Sequence, residues 1–120
     1  MVVGLGGVGS FAAEFLARSG VGKMTIIDGD IVDITNINRQ LPALHSTIGQ
    51  HKVELVGNRL LDINPELHLI KINQFLNPEN MEEILDSVHF DYVLDCIDSI
   101  TPKVTLIKAA RKRKIKLVSA

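Results

Sequence analysis

Val2-Val3-Gly4-Leu5-Gly6-Gly7-Val8-Gly9 opens the chain and decides how the rest folds. Two β-branched residues and Leu5 read as a buried strand over residues 2–5, and the glycines read as a tight turn into a helix. In that helix Val8, Phe11, Ala12, Phe15 and Leu16 recur at helical spacing and form one apolar stripe. Ser19-Gly20 ends it, since glycine supplies the left-handed residue favoured at a helix C-terminus. Strand, glycine turn and helix in register are the start of a parallel α/β unit.

The same alternation continues to the last residues. A second strand over 24–27 stops at Asp28-Gly29-Asp30, and residues 49–63 read as a helix with Val53, Val56, Leu60 and Ile63 inward. Between them lies a polar run, Thr35, Asn36, Asn38, Arg39 and Gln40, too rich in asparagine for a core element. Asn64-Pro65 closes the helix, and Leu67, Leu69 and Ile72 mark a third strand with Lys71 outward. Asn77-Pro78-Glu79 is a helix start: an N-cap, a proline at the first helical position, then an acid. Met81, Ile84, Leu85 and Val88 are its buried side. Residues 92–94 form a fourth strand, Thr101-Pro102 begins a last helix with Val104, Ile107 and Ala110 inward, and residues 115–118 form another strand. The pattern predicts a Rossmann-like, doubly wound α/β sheet, mainly parallel, with helices on both faces. Buried strands flush with both ends lead us to expect a fragment of a larger domain.

Composition narrows the function. The 120 residues carry a formal charge of −1, with 46% hydrophobic and 22% charged residues, the balance of a globular chain. No apolar run approaches the roughly 20 residues a membrane span needs, so no membrane partner is expected. A near-neutral balance removes a generally basic nucleic-acid surface but leaves room for a local patch. The basic cluster Lys108, Arg111, Lys112, Arg113, Lys114 and Lys116 is read first as a solvated helix end, where cations suit the dipole. Cys96 stands alone, which excludes an internal disulfide and suits the cytoplasm.

Gly4, Gly6, Gly7 and Gly9 let the backbone approach a ligand closely, and the helix N-terminus aims free N–H groups at phosphate. Asp28, at the end of the second strand, suits a ribose in NAD, FAD or ATP equally. Asp30 is expected to cap the following turn. Asn36, Arg39 and Lys52 have little use in a dehydrogenase, whereas a triphosphate needs a guanidinium, an ammonium and a metal. Lys52 opens its helix against the dipole, a conflict a ligand anion would remove. Asp98 adds a carboxylate at the end of the fourth strand, as a Mg²⁺ holder beside the triphosphate. Cys96 next to a carboxylate is a poor nucleophile and reads as a small buried residue. An oxidoreductase using NAD or FAD, resting on the glycine loop and Asp28, and a non-catalytic interaction module are the readings from other classes.

Five blocks then carry a resemblance: Gly4-Leu5-Gly6-Gly7-Val8-Gly9, Asp28-Gly29-Asp30, Thr35-Asn36-Ile37-Asn38-Arg39-Gln40, Gly49-Gln50-His51-Lys52 and Asp95-Cys96-Ile97-Asp98. In order and spacing the chain resembles the ThiF/MoeB/HesA adenylating family, which includes the ubiquitin-activating enzymes. The resemblance implies ATP and Mg²⁺ as cofactors, with Gly7 at the phosphates and Asp28 at the ribose. It implies Thr35, Asn36, Asn38 and Arg39 along the phosphate channel, Lys52 neutralising phosphate, and Asp98 with Ser99 beside the metal and ATP. Arg39, Lys52 and Asp98 are the implied catalytic residues. Ile97-Asp98-Ser99-Ile100-Thr101-Pro102-Lys103 and Asn36-Ile37-Asn38-Arg39-Gln40 are more similar to the branch that dehydrates threonylcarbamoyladenosine in tRNA. The alternative branch activates the C-terminus of a ubiquitin-like sulfur carrier. Residues 1–120 would then be the ATP-binding portion, without the family's N-terminal helix and C-terminal half, and a homodimer is implied at full length. Pro102 pre-sets the first turn of its helix, so Ser99 and Lys103 are expected near the carboxyl ends of the strands, a position from which to shape what approaches the α-phosphate.

Overall fold

The computed structural model describes residues 1–120. The elements follow as β1 (Val2–Val3), α1 (Gly9–Arg18), β2 (Lys23–Ile27), α2 (Lys52–Ile63), β3 (His68–Ile72), α3 (Pro78–Ser87), β4 (Tyr92–Asp95), α4 (Ile100–Lys112) and β5 (Lys116–Ser119). The strands form one sheet in the order β3-β2-β1-β4-β5, and every neighbouring pair is parallel. Alternate strand residues take opposite faces. Val2 and Ile26 join Ala13, Val53, Val56 and Leu60 beneath α1 and α2. Val3 and Ile27 join Met81, Ile84, Leu85 and Leu106 beneath α3 and α4. Two apolar layers on a parallel sheet make the expected doubly wound, Rossmann-like fold.

Several local readings hold. The Asn77 side chain accepts from the Asn80 N–H at 3.0 Å and Asn80 returns the bond at 2.8 Å, with Pro78 in the first turn of α3. Met81, Ile84 and Leu85 are its buried residues. Three readings change. Most of the α1 stripe faces outward: Phe15 is 62% exposed and Val8 and Phe11 are also exposed, half-buried Leu16 packs against the core as expected, and Gly9, Ser10, Ala13 and Ala17 are buried. Close approach explains the inversion, because a Cβ on Gly9 would stand 1.7 Å from the Gly4 carbonyl oxygen. Only small residues fit between α1 and the sheet. The second helix starts at Lys52 rather than 49, because Gly49 has φ +86°, outside helical geometry. In α4, Leu106 and Ala110 are buried whereas Val104 and Ile107 are exposed. That face is set by Lys103, which turns inward to Asp95 at 2.7 Å.

Candidate functional site

In an open α/β sheet, ligands sit outside the carboxyl ends of the strands, where the direction of winding reverses. Here that point lies between β1 and β4. A cavity of about 450 Å³ opens there, lined among others by Gly4, Gly6, Asp28, Asp30, Lys52, Asp98 and Ser99. Gly4 follows β1 with φ +91°, and a Cβ there would stand 2.7 Å from the Cys96 carbonyl oxygen. That contact brings the loop after β1 against the loop after β4. Gly6 is different, since the nearest atoms to a Cβ there would be Gln40 Nε2 at 3.5 Å, Gln40 Cδ at 3.8 Å and Asp98 Oδ2 at 4.0 Å. These are ordinary van der Waals distances, so a methyl would fit there without strain, beside residues of the cavity wall.

Asp28 braces the glycine loop. Its Oδ2 accepts from the Leu5 N–H at 2.7 Å and its Oδ1 from the Asp30 N–H at 2.7 Å. The remaining lone pairs of the carboxylate are free to accept from ribose hydroxyls. Lys52 is only 4% exposed, and its Nζ donates to Asp30 Oδ2 at 3.2 Å. A lysine is rarely buried without a partner. The anion expected to offset the start of α2 is therefore supplied by the chain itself. Asp30 also accepts from the Ile31 N–H at 2.9 Å, so it caps the turn and does more. The spacing Asp28-x-Asp30 with a lysine opening the next helix was the signal for that second role.

Asp98 is exposed at the cavity rim, and Ser99 is the N-cap of α4 with no side-chain capping bond, which leaves its hydroxyl uncommitted. Beneath them Asp95 is fully buried: its Oδ1 accepts from the Ile97 N–H at 3.1 Å, and Oδ2 from Lys103 Nζ and Ser119 Oγ, both at 2.7 Å. Lys103 is thus held at the carboxyl ends of β4 and β5, as expected, with its ammonium committed inward rather than toward the rim. Cys96 behaves as expected: burial first, then the Asp95 charge, pushes its thiol up.

Of the polar run, Gln40 lines this cavity, and Thr35, Asn36, Asn38 and Arg39 sit beside it. Arg39 passes under Gly7, its Cγ 3.5 Å from where a Cβ would stand, and its guanidinium donates to Thr35 O at 3.0 Å and Asn38 Oδ1 at 3.1 Å. Thr35 bonds Asp33 Oδ2 at 2.5 Å, and buried Asn36 accepts from the Asp33 N–H at 2.8 Å. Gly4, Gly6, Asp28, Lys52, Asp98 and Ser99 are brought together, whereas Gly7, Thr35, Asn38 and Arg39 flank them and Gly9 and Asn36 serve packing and turn structure.

A glycine loop, a buried lysine and a strand-end carboxylate thus line one cavity at the winding switch, where open α/β sheets take their ligands. The sequence profile of the ThiF family matches residues 1–120, and the chain belongs to that family. It is 53% identical over 119 residues to tRNA threonylcarbamoyladenosine dehydratase of Bacillus subtilis, covering 99% of this chain and 46% of that protein. It is 37% identical to molybdopterin-synthase adenylyltransferase of Haemophilus influenzae, covering 99% of this chain and 48% of that protein. Among solved structures, the Escherichia coli tRNA N6-threonylcarbamoyladenosine dehydratase in complex with ATP superposes with a TM-score of 0.94 at 47% identity, over 98% of this chain and 48% of that one. The chain spans about half the length of the curated relatives it matches.

Proposed function

We propose that the intact protein uses ATP to activate the carboxylate of threonylcarbamoyladenosine in tRNA, closing that side chain into a ring with loss of water. Residues 1–120 are the nucleotide-binding part of that enzyme. A carboxylate is a poor electrophile, and adenylation turns one of its oxygens into a leaving group. Pyrophosphate departs in the first step, and a group of the substrate itself displaces AMP in the second, so no catalytic cysteine is called for. The observation that carries the reading is the switch-point cavity, with Gly6, Lys52 and Asp98 facing one space. Its closer similarity to the dehydratase than to the adenylyltransferase supports tRNA as the substrate.

In this reading the open backbone at Gly6 receives phosphate, Asp28 holds the ribose, and Lys52 exchanges Asp30 for a phosphate oxygen. Arg39 needs only to swing from Thr35 and Asn38 to reach the same anion. No group of three His, Cys, Asp or Glu side chains forms a metal cage. Mg²⁺ bound with a nucleotide takes one or two carboxylates together with phosphates and water, which a lone Asp98 fits. When bound, the ion would offset the phosphate charge. No helix is long and apolar enough to cross a membrane, in keeping with work on tRNA in the cytoplasm. The exposed Val8, Phe11 and Phe15 face supports assembly of the intact protein as a homodimer.

Mass spectrometry of tRNA nucleosides from cells lacking the gene tests the substrate. The cyclic form of threonylcarbamoyladenosine is expected to disappear and to return with a plasmid copy, but not with Asp98→Ala. Persistence of the cyclic form, with no second gene copy, would move the assignment to the second reading, activation of a sulfur-carrier C-terminus, which the 37% identity to the adenylyltransferase supports.

A further inference from the structure

The cations and acids of this chain are segregated. Residues 99–120, which hold α4 and β5, carry seven Lys and Arg and no Asp or Glu, whereas residues 1–98 carry fourteen acids against six Lys and Arg. Two of the seven are committed within the chain: Lys103 to Asp95, and Arg113 to Asp86 and Glu82 of α3. The other five, Lys108, Arg111, Lys112, Lys114 and Lys116, are exposed, and none forms an ion pair. Lys116 Nζ lies over the exposed ring of Tyr92, 5.4 Å from its centroid.

The helix dipole accounts for Arg111 and Lys112, in the last turn of α4, but not for Lys108 a turn earlier or for Lys114 and Lys116 beyond its end. Lys114 is the sharpest case. It has φ +57°, in the turn that closes α4, where the Ile115 N–H donates to Ala110 O at 3.0 Å. Glycine takes that conformation freely, and any side chain there is strained. Folding stability does not account for this lysine. Unpaired cations crowded on one surface repel one another, and a polyanion relieves them. From Ser99 at the cavity rim, α4 runs about 20 Å to this patch. A substrate with one nucleoside at the rim and its backbone laid along α4 meets both. We propose that the exposed cations at the C-terminal end of α4 and the start of β5 hold the phosphate backbone of the RNA whose modified nucleoside enters the cavity. The proposal rests on the tRNA reading above. These contacts position the substrate and read no base, because phosphates carry no sequence.

The test measures binding of tRNA bearing threonylcarbamoyladenosine to the intact protein over a range of salt concentrations, with ATP affinity and thermal unfolding alongside. A triple variant, Lys108→Gln with Arg111→Gln and Lys112→Gln, is expected to bind tRNA about tenfold more weakly at moderate salt. Its slope of log affinity against log salt should be shallower by about two, with ATP affinity unchanged. Lys114→Gly removes one cation and relieves the left-handed backbone, so tRNA should weaken about threefold while the melting temperature does not fall. A lysine of merely structural value would instead lower the melting temperature on replacement and spare tRNA. Affinity for tRNA and salt slope both unchanged in the triple variant overturn the proposal, as does an equal loss of ATP affinity. Binding to phosphatidylserine vesicles that is lost in the triple variant, with tRNA binding spared, would assign the patch to a lipid surface instead. Wild-type protein that binds no tRNA overturns the tRNA reading itself, and the two failures are thereby told apart.

Discussion

Gly6 and Gly9 stand three positions apart in one loop and do different work. A Cβ on Gly9 would overlap the Gly4 carbonyl oxygen, whereas one on Gly6 meets only ordinary contacts. Gly9→Ala is therefore expected to lower stability by about 3 kcal/mol, read by denaturant unfolding. Gly6→Ala should keep stability within about 0.5 kcal/mol yet lose nucleotide affinity roughly tenfold or more, because the methyl would stand between the loop backbone and the ligand in the cavity. Equal stability losses at the two positions would contradict this division. The sequence made the glycine loop, Asp28, Lys52 and Asp98 legible as a site, since each stands at an element end where the fold places ligands. It did not separate glycines needed for packing from those facing a ligand, a distinction that lies in how closely the loop backbone folds against itself at Gly4 and against the loop after β4 at Cys96. Asp30 was read too modestly for a related reason: its partner Lys52 lies 22 residues on, and turn chemistry is judged from immediate neighbours.

At the scale of elements, residues with local signals were readable and residues governed by tertiary contact were not. Asn77-Pro78 carries its own capping chemistry, and α3 starts there. The α1 stripe carried the right period and the wrong face, because the helix packs too closely on β1 for a phenylalanine to fit. The inward turn of α4 likewise depends on Asp95, which lies on another element. That pair ties the end of β4, the first turn of α4 and the end of β5 together. Lys103→Met leaves the Asp95 carboxylate buried without its cation and is expected to cost about 3 kcal/mol. Asp95→Asn combined with Lys103→Met should recover part of that loss, since no unpaired charge remains. Additive losses in the double variant would show that the two side chains act independently.

For the whole molecule, the parallel order of strands followed from the strand–helix alternation, and the order β3-β2-β1-β4-β5 puts the winding switch at the glycine loop. On the flank of α1 beside its exposed stripe, Glu14 is largely buried and pairs with Arg59 of α2 and Arg18. The Arg59 hydrogen bond, opposed by burial, holds the Glu14 carboxyl below its ordinary range. Its contribution to stability is therefore complete above the unfolded value of about pH 4.3 and is lost as pH falls through the lower folded value. Glu14→Gln should flatten the acid limb of a stability–pH curve below that point; an unchanged acid limb would remove Glu14 from the account. The central claim, however, is chemical: one cavity binds ATP and delivers its α-phosphorus to a carboxylate of tRNA. The most direct measurement incubates intact protein with ATP and tRNA bearing threonylcarbamoyladenosine and resolves the nucleotide products. The account predicts AMP and pyrophosphate in step with the loss of one water from the modified nucleoside, and no turnover with Asp98→Ala. Release of ADP and phosphate, or ring closure without ATP, would contradict it.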